Sequence, residues 1–262
     1  MSDAATGGEG WTVLLLAGAR PGGDPLTRSL RVDYKPLLPI LGEPMLLRPI
    51  RALLAVAAVA QIRVLTQQIE RISAVLPDDP RIVVEQSDET IAATLQRICA
   101  DPATRFPLLV TAADHALLTP QMVEEFIAGS AGCDVSVGFV SRSNMLVRFP
   151  QAQRTWLRFG RERYSGANLF ALRTPKARIG IERWRAVEQD RKKGWRVLLQ
   201  MGLPLFLGAV LRVRDLHQSA RDLSRSLGIT IKGVVLSDPI AAIDVDKAAD
   251  YTLVNEILAG RA

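Results

Sequence analysis

Short, unbroken apolar runs alternate with longer helical segments over the first ~140 residues, and this alternation limits the possible folds more than any other feature. "TVLLLAG", "IRVLT", "RIVVEQ", "PLLVTAAD" and "DVSVGFVSR" read as strands. Between them, "PMLLRPIRALLAVAAV" (Pro44 to Val59), a polar helical piece, "DETIAATLQRICA" and "TPQMVEEFIAG" read as helices, with Asp88 as N-cap of the third and Thr119 followed by Pro120 opening the fourth. The apolar runs in these strands are continuous rather than alternating. Such strands are buried on both faces, as in a parallel sheet covered by helices on each side. From Arg142 the pattern changes to strands and loops, with "GANLFAL" returning to the sheet. A Trp- and Arg-rich helical segment follows over about 176–227. "IKGVVL" and "AAIDVD" read as short strands, and "KAADYTLVNEILAG" as the closing helix. No repeat or low-complexity linker divides the chain. The expectation is one domain over 11–262 with a helical insert at about 176–227, preceded by a polar, disordered tail over 1–10.

Charge and rare residues narrow the chemistry. Thirty-three Lys and Arg against 27 Asp and Glu give a net charge of +6, which favours anionic partners. The basic residues are scattered and match no nucleic-acid motif, so no nucleic-acid partner is expected. Cys99 and Cys133 stand outside any CxxC pattern, which argues against zinc and fits free thiols in a reducing compartment. With no signal-peptide pattern at the start, a cytoplasmic location is expected. The longest apolar stretch, "VLLQMGLPLFLGAVL", is interrupted by Gln200 and Pro204 and falls short of the ~20 residues that span a bilayer. His115 and His217 are the two histidines, so chemistry built on a histidine base has few candidates.

The first apolar run ends in an unusual loop, "WTVLLLAGARPGGDPL". In a parallel sheet, ligands bind beyond the carboxyl ends of the strands. Glycines there let backbone N–H groups approach an anion closely, and Arg20 adds a positive charge. Neither GxxxxGK[ST] nor GxGxxG is present. Instead "KPLLPILGEPML" follows, placing Lys35, a compact cation able to reach a phosphate, before an apolar segment.

These segments resemble the nucleotidyltransferases of the sugar-phosphate and molybdenum-cofactor (MobA-like) type. Their signature reads L-A-x-G-x-G-x-R, a spacer, then P-K-x-L-x-x-x-x-G-x-P-x-L. The chain matches it at Ala17, Gly18, Lys35, Leu38, Gly42, Pro44 and Leu46, and departs from it in the loop Gly18-Ala19-Arg20-Pro21-Gly22-Gly23. The resemblance implies a Rossmann-like three-layer α/β/α sandwich with a mostly parallel sheet, of the nucleotide-diphospho-sugar transferase type. It implies transfer of a nucleoside monophosphate from an NTP, CTP being the first candidate, to a phosphorylated sugar, polyol or hydroxy acid, with release of pyrophosphate. Lys35 and Arg20 would hold the triphosphate, with Arg28 and Arg31 competing for the arginine role. Ala17, Gly18, Ala19, Gly22 and Gly23 would line the nucleotide site, and Gln86 and Thr90 would read the base. Mg²⁺ would be bound by Asp114, in the place of the family's G-D-x-P, and by Asp246 and Asp244, in "AAIDVDKAADY". Gly166 and Asn168, in "YSGANLFAL", would face the acceptor.

The residues support parts of this independently. Asp244 and Asp246 share one face of a strand at period two, and hard carboxylate oxygens suit Mg²⁺. Asp246 is equally placed to cap the final helix, and Asn168 to form a turn. A nucleotide-sugar-dependent glycosyltransferase and a nucleotide-binding regulator without catalysis are the alternative classes. The insert, with Trp184, Trp195 and clustered arginines, is expected to fold over the acceptor side as a lid; weak contact with a membrane surface and buried helices with an Arg-rich solvent face are both open readings of it.

Overall fold

In the computed structural model, which describes residues 10–19, 24–152, 154–189 and 214–261, the first apolar run, β1 (Trp11–Leu16), lies inside an eight-stranded sheet. In chain order it is followed by α1 (Pro25–Ser29), a small antiparallel pair β2 (Pro39–Ile40) and β3 (Glu43–Pro44), α2 (Leu47–Leu54), β4 (Val59–Thr66) and α3 (Ile69–Ser73). Next come β5 (Ile82–Gln86), α4 (Ile91–Ala100), β6 (Leu108–Ala112), α5 (Pro120–Gly129), β7 (Val135–Ser141) and α6 (Arg142–Arg148). The described part closes with β8 (Leu157–Phe159), β9 (Glu162–Leu172), α7 (Ala177–Gln189), α8 (Leu216–Leu227), β10 (Ile231–Val235) and α9 (Ala248–Leu258).

The strand order is β10-β7-β9-β6-β1-β4-β5, with β8 alongside β9. β1 pairs in parallel with β4 and β6, β4 with β5, and β7 with β10, while β9 runs antiparallel between β6 and β7. The carboxyl ends of the parallel strands and the beginning of β9 therefore share one edge.

Successive residues of a strand point to opposite faces, and β1 shows this directly. Val13 and Leu15 pack with Ile50 and Leu53 of α2, Met122, Val123 and Phe126 of α5, and Val254 of α9. Leu14 packs on the other side with Leu95 and Ile98 of α4 and Ala177 and Ile181 of α7. Two apolar cores, one on each face of a mostly parallel sheet, make the three-layer sandwich that the pattern of doubly buried strands implied. Fully buried side chains such as Leu15, Leu53 and Phe126 each contribute about 1.5–3 kcal/mol of transfer free energy.

Local signals set most helix ends. Thr119 caps α5 through Met122 N–H, with Pro120 at the first helical position, as the sequence suggests. α8 starts with a capping box of Asp215 and Gln218 and ends at Gly228, whose φ of 68° suits glycine.

Four local expectations are corrected. The helix read over Pro44 to Val59 is only Leu47–Leu54, because Pro44 pairs with Pro39 in a hairpin and Val59 already belongs to β4. Thr90, not Asp88, caps α4, its hydroxyl accepting from Ala93 N–H; Asp88 is ion-paired to Arg97. Arg142–Arg148 is a helix capped by Ser141 rather than strand or loop. "AAIDVD" is not a strand: Asp238 caps a 3₁₀ turn over Pro239–Ala242, which breaks the run before Asp244. Of the insert read at about 176–227, the flanking helices α7 and α8 are described. Trp195 and the apolar stretch at 197–211 lie outside the described residues, as do residues 1–9. Among the described residues no helix is long and apolar enough to cross a membrane.

Candidate active site

The loop after β1 is fastened from below. Ala17 donates its N–H to Leu65 and accepts at its carbonyl from the Tyr34 hydroxyl at 2.5 Å. Tyr34 is fully buried, and its oxygen also lies 2.6 Å from Thr66 Oγ1. Ala19 N–H donates to Gln67 Oε1 at 2.9 Å. A Cβ on Gly18 would sit 3.0 Å from the Gln67 amide, so the glycine keeps this approach open. Tyr34 and Gln67 thus fix the stem of the loop; neither stood out in the sequence. Arg20, Gly22 and Gly23 lie outside the described residues. Arg28 on α1 and Arg31, at φ 54°, are exposed.

Tyr34 also fixes Lys35, the first residue of a 3₁₀ turn over Lys35–Leu37. The Lys35 ammonium lies 2.7 Å from Asp114 Oδ2 and 2.8 Å from Asp246 Oδ1, with Asp24 at 3.8 Å. Burial works to lower the Lys35 pKa, but Asp114 and Asp246 outweigh it and hold it above its ordinary value. Asp114 follows β6, at the edge where the parallel strands end, and its carbonyl accepts from Val245 N–H at 3.1 Å. That bond docks the C-terminal loop on the end of β6 and brings Asp246 to the same ammonium. Asp24, the third carboxylate, has its other oxygen engaged by Leu26 N–H as the N-cap of α1, and nothing in its sequence setting singled it out.

A second network stands beside the first. Asp244 accepts from Arg154 at 2.8 Å through one oxygen and from Asn168 at 3.0 Å through the other. Arg154 also reaches Asp250 at 3.0 Å, and the other Asp250 oxygen accepts from the backbone N–H groups of Asp246 and Lys247. Asp250, rather than Asp246, thereby supplies the carboxylate at the start of α9. Burial pushes the Asp244 pKa up to about 6, helped by Asp246 and Asp114 and opposed by Arg154. Asn168 adopts φ 48°, in the left-handed region that Asn tolerates better than most residues. It sits where the β7–β9 register shifts, a bulge that aims its amide at Asp244. Gly138 faces this bulge, and a Cβ there would press on Leu169 at 3.2 Å.

These residues border a cleft of about 500 Å³ lined by Arg154, Ser165, Gly166, Asn168, Asp244 and Asp246, among others. A Cβ on Gly166 would meet nothing within 4 Å. Lys35, Asp114, Asp246, Asp244, Gly166 and Asn168 are thus gathered at one edge of the sheet. Gln86 and Thr90 lie at the carboxyl end of β5, on the same edge but two strands from β1, with the Thr90 hydroxyl engaged as a cap.

Among the described residues no three acidic, His or Cys side chains are placed to hold one metal ion together. Mg²⁺ does not require three, since it keeps waters and takes one or two protein carboxylates with substrate phosphates. Asp114 Oδ1 is buried without a hydrogen-bond partner, as a waiting cation ligand is. Asp114 and Asp246 therefore fit such an ion. Both Asp244 oxygens are taken by Arg154 and Asn168.

A family model described as the MobA-like NTP transferase domain matches residues 16–219. No curated protein matches the sequence. Among solved structures, the chain is similar to a hypothetical transferase from Thermus thermophilus, at TM-score 0.77 and 21% identity over 93% of this chain and 100% of that one. It is also similar to a CMP:2-keto-3-deoxy-manno-octonic acid synthetase complexed with CTP, at TM-score 0.58 and 15% identity over 97% and 100% of the two chains. A third is a 4-diphosphocytidyl-2C-methyl-D-erythritol synthase from Anaerococcus prevotii, at TM-score 0.55 and 10% identity over 95% and 96%. The mostly parallel sheet with flanking helices is the fold of these structures.

Proposed function

The chain belongs to the MobA-like NTP transferase family, and on that premise we propose that this nucleotidyltransferase joins the nucleoside monophosphate of an NTP to a phosphorylated small molecule, with Mg²⁺ as cofactor. An acceptor phosphate oxygen attacks the α-phosphorus in line. The new P–O bond forms as the bond to the β-phosphate breaks, and pyrophosphate leaves. The acceptor oxygen is already an anion, so no side chain has to remove a proton. Positioning and charge neutralisation carry the rate.

The observation that carries this reading is the convergence of Lys35, Asp114 and Asp246 at one point, between the fastened loop after β1 and the cleft. Lys35 would neutralise charge that develops on the leaving pyrophosphate, and Arg20 would share that role. Ala17, Gly18, Ala19, Gly22 and Gly23 would line the nucleotide site, and Gln86 and Thr90 would read the base. Asp114 and Asp246 would hold the metal, which when bound supplies charge neutralisation on phosphate oxygens. Asp244, tied to Arg154 and Asn168, keeps the Asp246 loop in place and borders the acceptor cleft with Gly166.

CTP is the first nucleotide to try, because two of the similar structures carry cytidine chemistry in their names. The test is a panel of four NTPs crossed with sugar, polyol and hydroxy-acid phosphates, read by pyrophosphate release in Mg²⁺. One NTP and one acceptor class should together release pyrophosphate well above either alone. No release from any pair would remove the reading.

A further inference from the structure

We infer that Lys35 serves as the internal counterion of the Asp114–Asp246 pair in the nucleotide-free protein, so that a divalent cation gains these carboxylates only as the ammonium leaves them. This rests on the reading of Asp114 and Asp246 as metal carboxylates and extends it to the order in which the site fills.

Two carboxylate oxygens that both touch one nitrogen, at 2.7 and 2.8 Å, repel each other unless a cation stands between them. The ammonium is that cation. It is largely sheltered, with 12% of the side chain exposed, and Asp24 at 3.8 Å adds a third negative group. A dication bound by the same two oxygens would sit against the ammonium, and like charges at that range exclude each other.

The backbone under Lys35 cannot yield easily. Tyr34 is buried and bonded to Ala17 and Thr66, and Pro36 follows in a 3₁₀ turn. The side chain can move without it, because lysine carries its charge on a flexible four-carbon stem. A triphosphate arriving on the loop after β1 offers the ammonium another anion. The nucleotide-free protein should therefore bind free metal weakly, and nucleotide and metal should enter together.

The probe is Mn²⁺, titrated into metal-stripped, nucleotide-free full-length protein at pH 7.5 and followed by the electron paramagnetic resonance of the free ion. Lys35→Gln should bind Mn²⁺ about tenfold tighter than wild type or more. Lys35→Met, checked for folding by circular dichroism, is the second variant and should do the same. Lys35→Arg, which keeps the charge, should stay close to wild type. Adding Asp114→Asn to Lys35→Gln should erase the gain. Neutral variants that bind no tighter than wild type, or a gain that survives Asp114→Asn, would overturn the inference. No nucleotide is present, so this outcome is separate from the transferase reading. Pyrophosphate release without the Mn²⁺ gain removes the counterion role alone, and the gain without pyrophosphate release removes the transferase reading alone.

Discussion

Asp114 and Asp246, far apart in the chain, each rest a carboxylate oxygen on the same Lys35 ammonium, at 2.7 and 2.8 Å. The Val245 N–H bond to the Asp114 carbonyl makes this meeting a property of the fold rather than of side-chain rotamers alone. The sheet delivers Asp114 to the end of β6, and the C-terminal loop is docked onto that end. Everything proposed about the chemistry depends on this junction.

Lys35→Ala should lower turnover by about 10²–10³-fold, as expected for losing one preorganised contact to a developing anion. The variant should still fold, because Tyr34 and not Lys35 fixes the turn. Steady-state kinetics with the active NTP check this. Near-normal kcat and KM would remove Lys35 from the triphosphate site.

Gly166→Leu tests the acceptor side. Its Cβ would meet nothing within 4 Å and would project into open space on a residue that lines the cleft. The expected result is a roughly tenfold or larger rise in acceptor KM, with NTP KM little changed and the melting temperature held. A rise in NTP KM instead would place the nucleotide, not the acceptor, in this cleft.

Asn168 has two separable roles, its contact with Asp244 and its left-handed backbone at φ 48°. Asn168→Gly loses the contact and keeps the backbone at ease, whereas Asn168→Ala loses both. The alanine variant should be less stable than the glycine variant by about 1 kcal/mol in urea denaturation. Equal stability would mean that the bulge carries no strain for a side chain.

His115 sets a pH dependence. It is 1% exposed, and burial lowers its pKa to about 4, opposed in part by the Ala241 backbone; neither ring nitrogen makes a well-formed hydrogen bond. Below its ordinary pKa of about 6.5 the unfolded chain takes up a proton that the folded chain refuses. Its contribution to stability is therefore unchanged above about pH 6.5 and is lost as pH falls toward 4, about 3 kcal/mol in all. His115→Leu should remove this loss, so that between pH 6.5 and 4.5 the variant gains stability relative to wild type as pH falls. Asp244, held up at about 6 in the folded protein, gains stability over the same fall in pH and offsets part of the slope, so the test is the difference between the two proteins. Wild-type and His115→Leu profiles of the same shape would contradict a neutral buried imidazole.

The sheet could be read from the sequence because doubly buried strands carry a plain signal: Leu14 and Leu15 are both apolar, and they face different cores. The site was readable where chemistry and position coincide, as with Lys35 and Asp114. It was not readable where the decisive information is a contact across the fold. Arg154 is one of two arginines in "QAQRTWLRF" and gains meaning only from the carboxylates of Asp244 and Asp250. Tyr34 and Gln67 look like ordinary polar residues until the loop after β1 closes on them. Helix ends failed where a tertiary pairing overrode the local pattern. Pro44 looks like a helix start, and its pairing with Pro39 makes it part of a hairpin. "AAIDVD" alternates like a strand, and the 3₁₀ turn capped by Asp238 prevents it from joining the sheet.

The most direct test of the central claim is ³¹P nuclear magnetic resonance of the complete reaction, with the NTP and acceptor found active in the panel and Mg²⁺ present. A nucleotidyl transfer that breaks the α–β bond predicts a pyrophosphate signal and an equal amount of a new diphosphate diester joining nucleoside and acceptor, both absent with Asp114→Asn. Orthophosphate with nucleoside diphosphate, from attack at the γ-phosphorus, or an unchanged spectrum with every NTP, would contradict it.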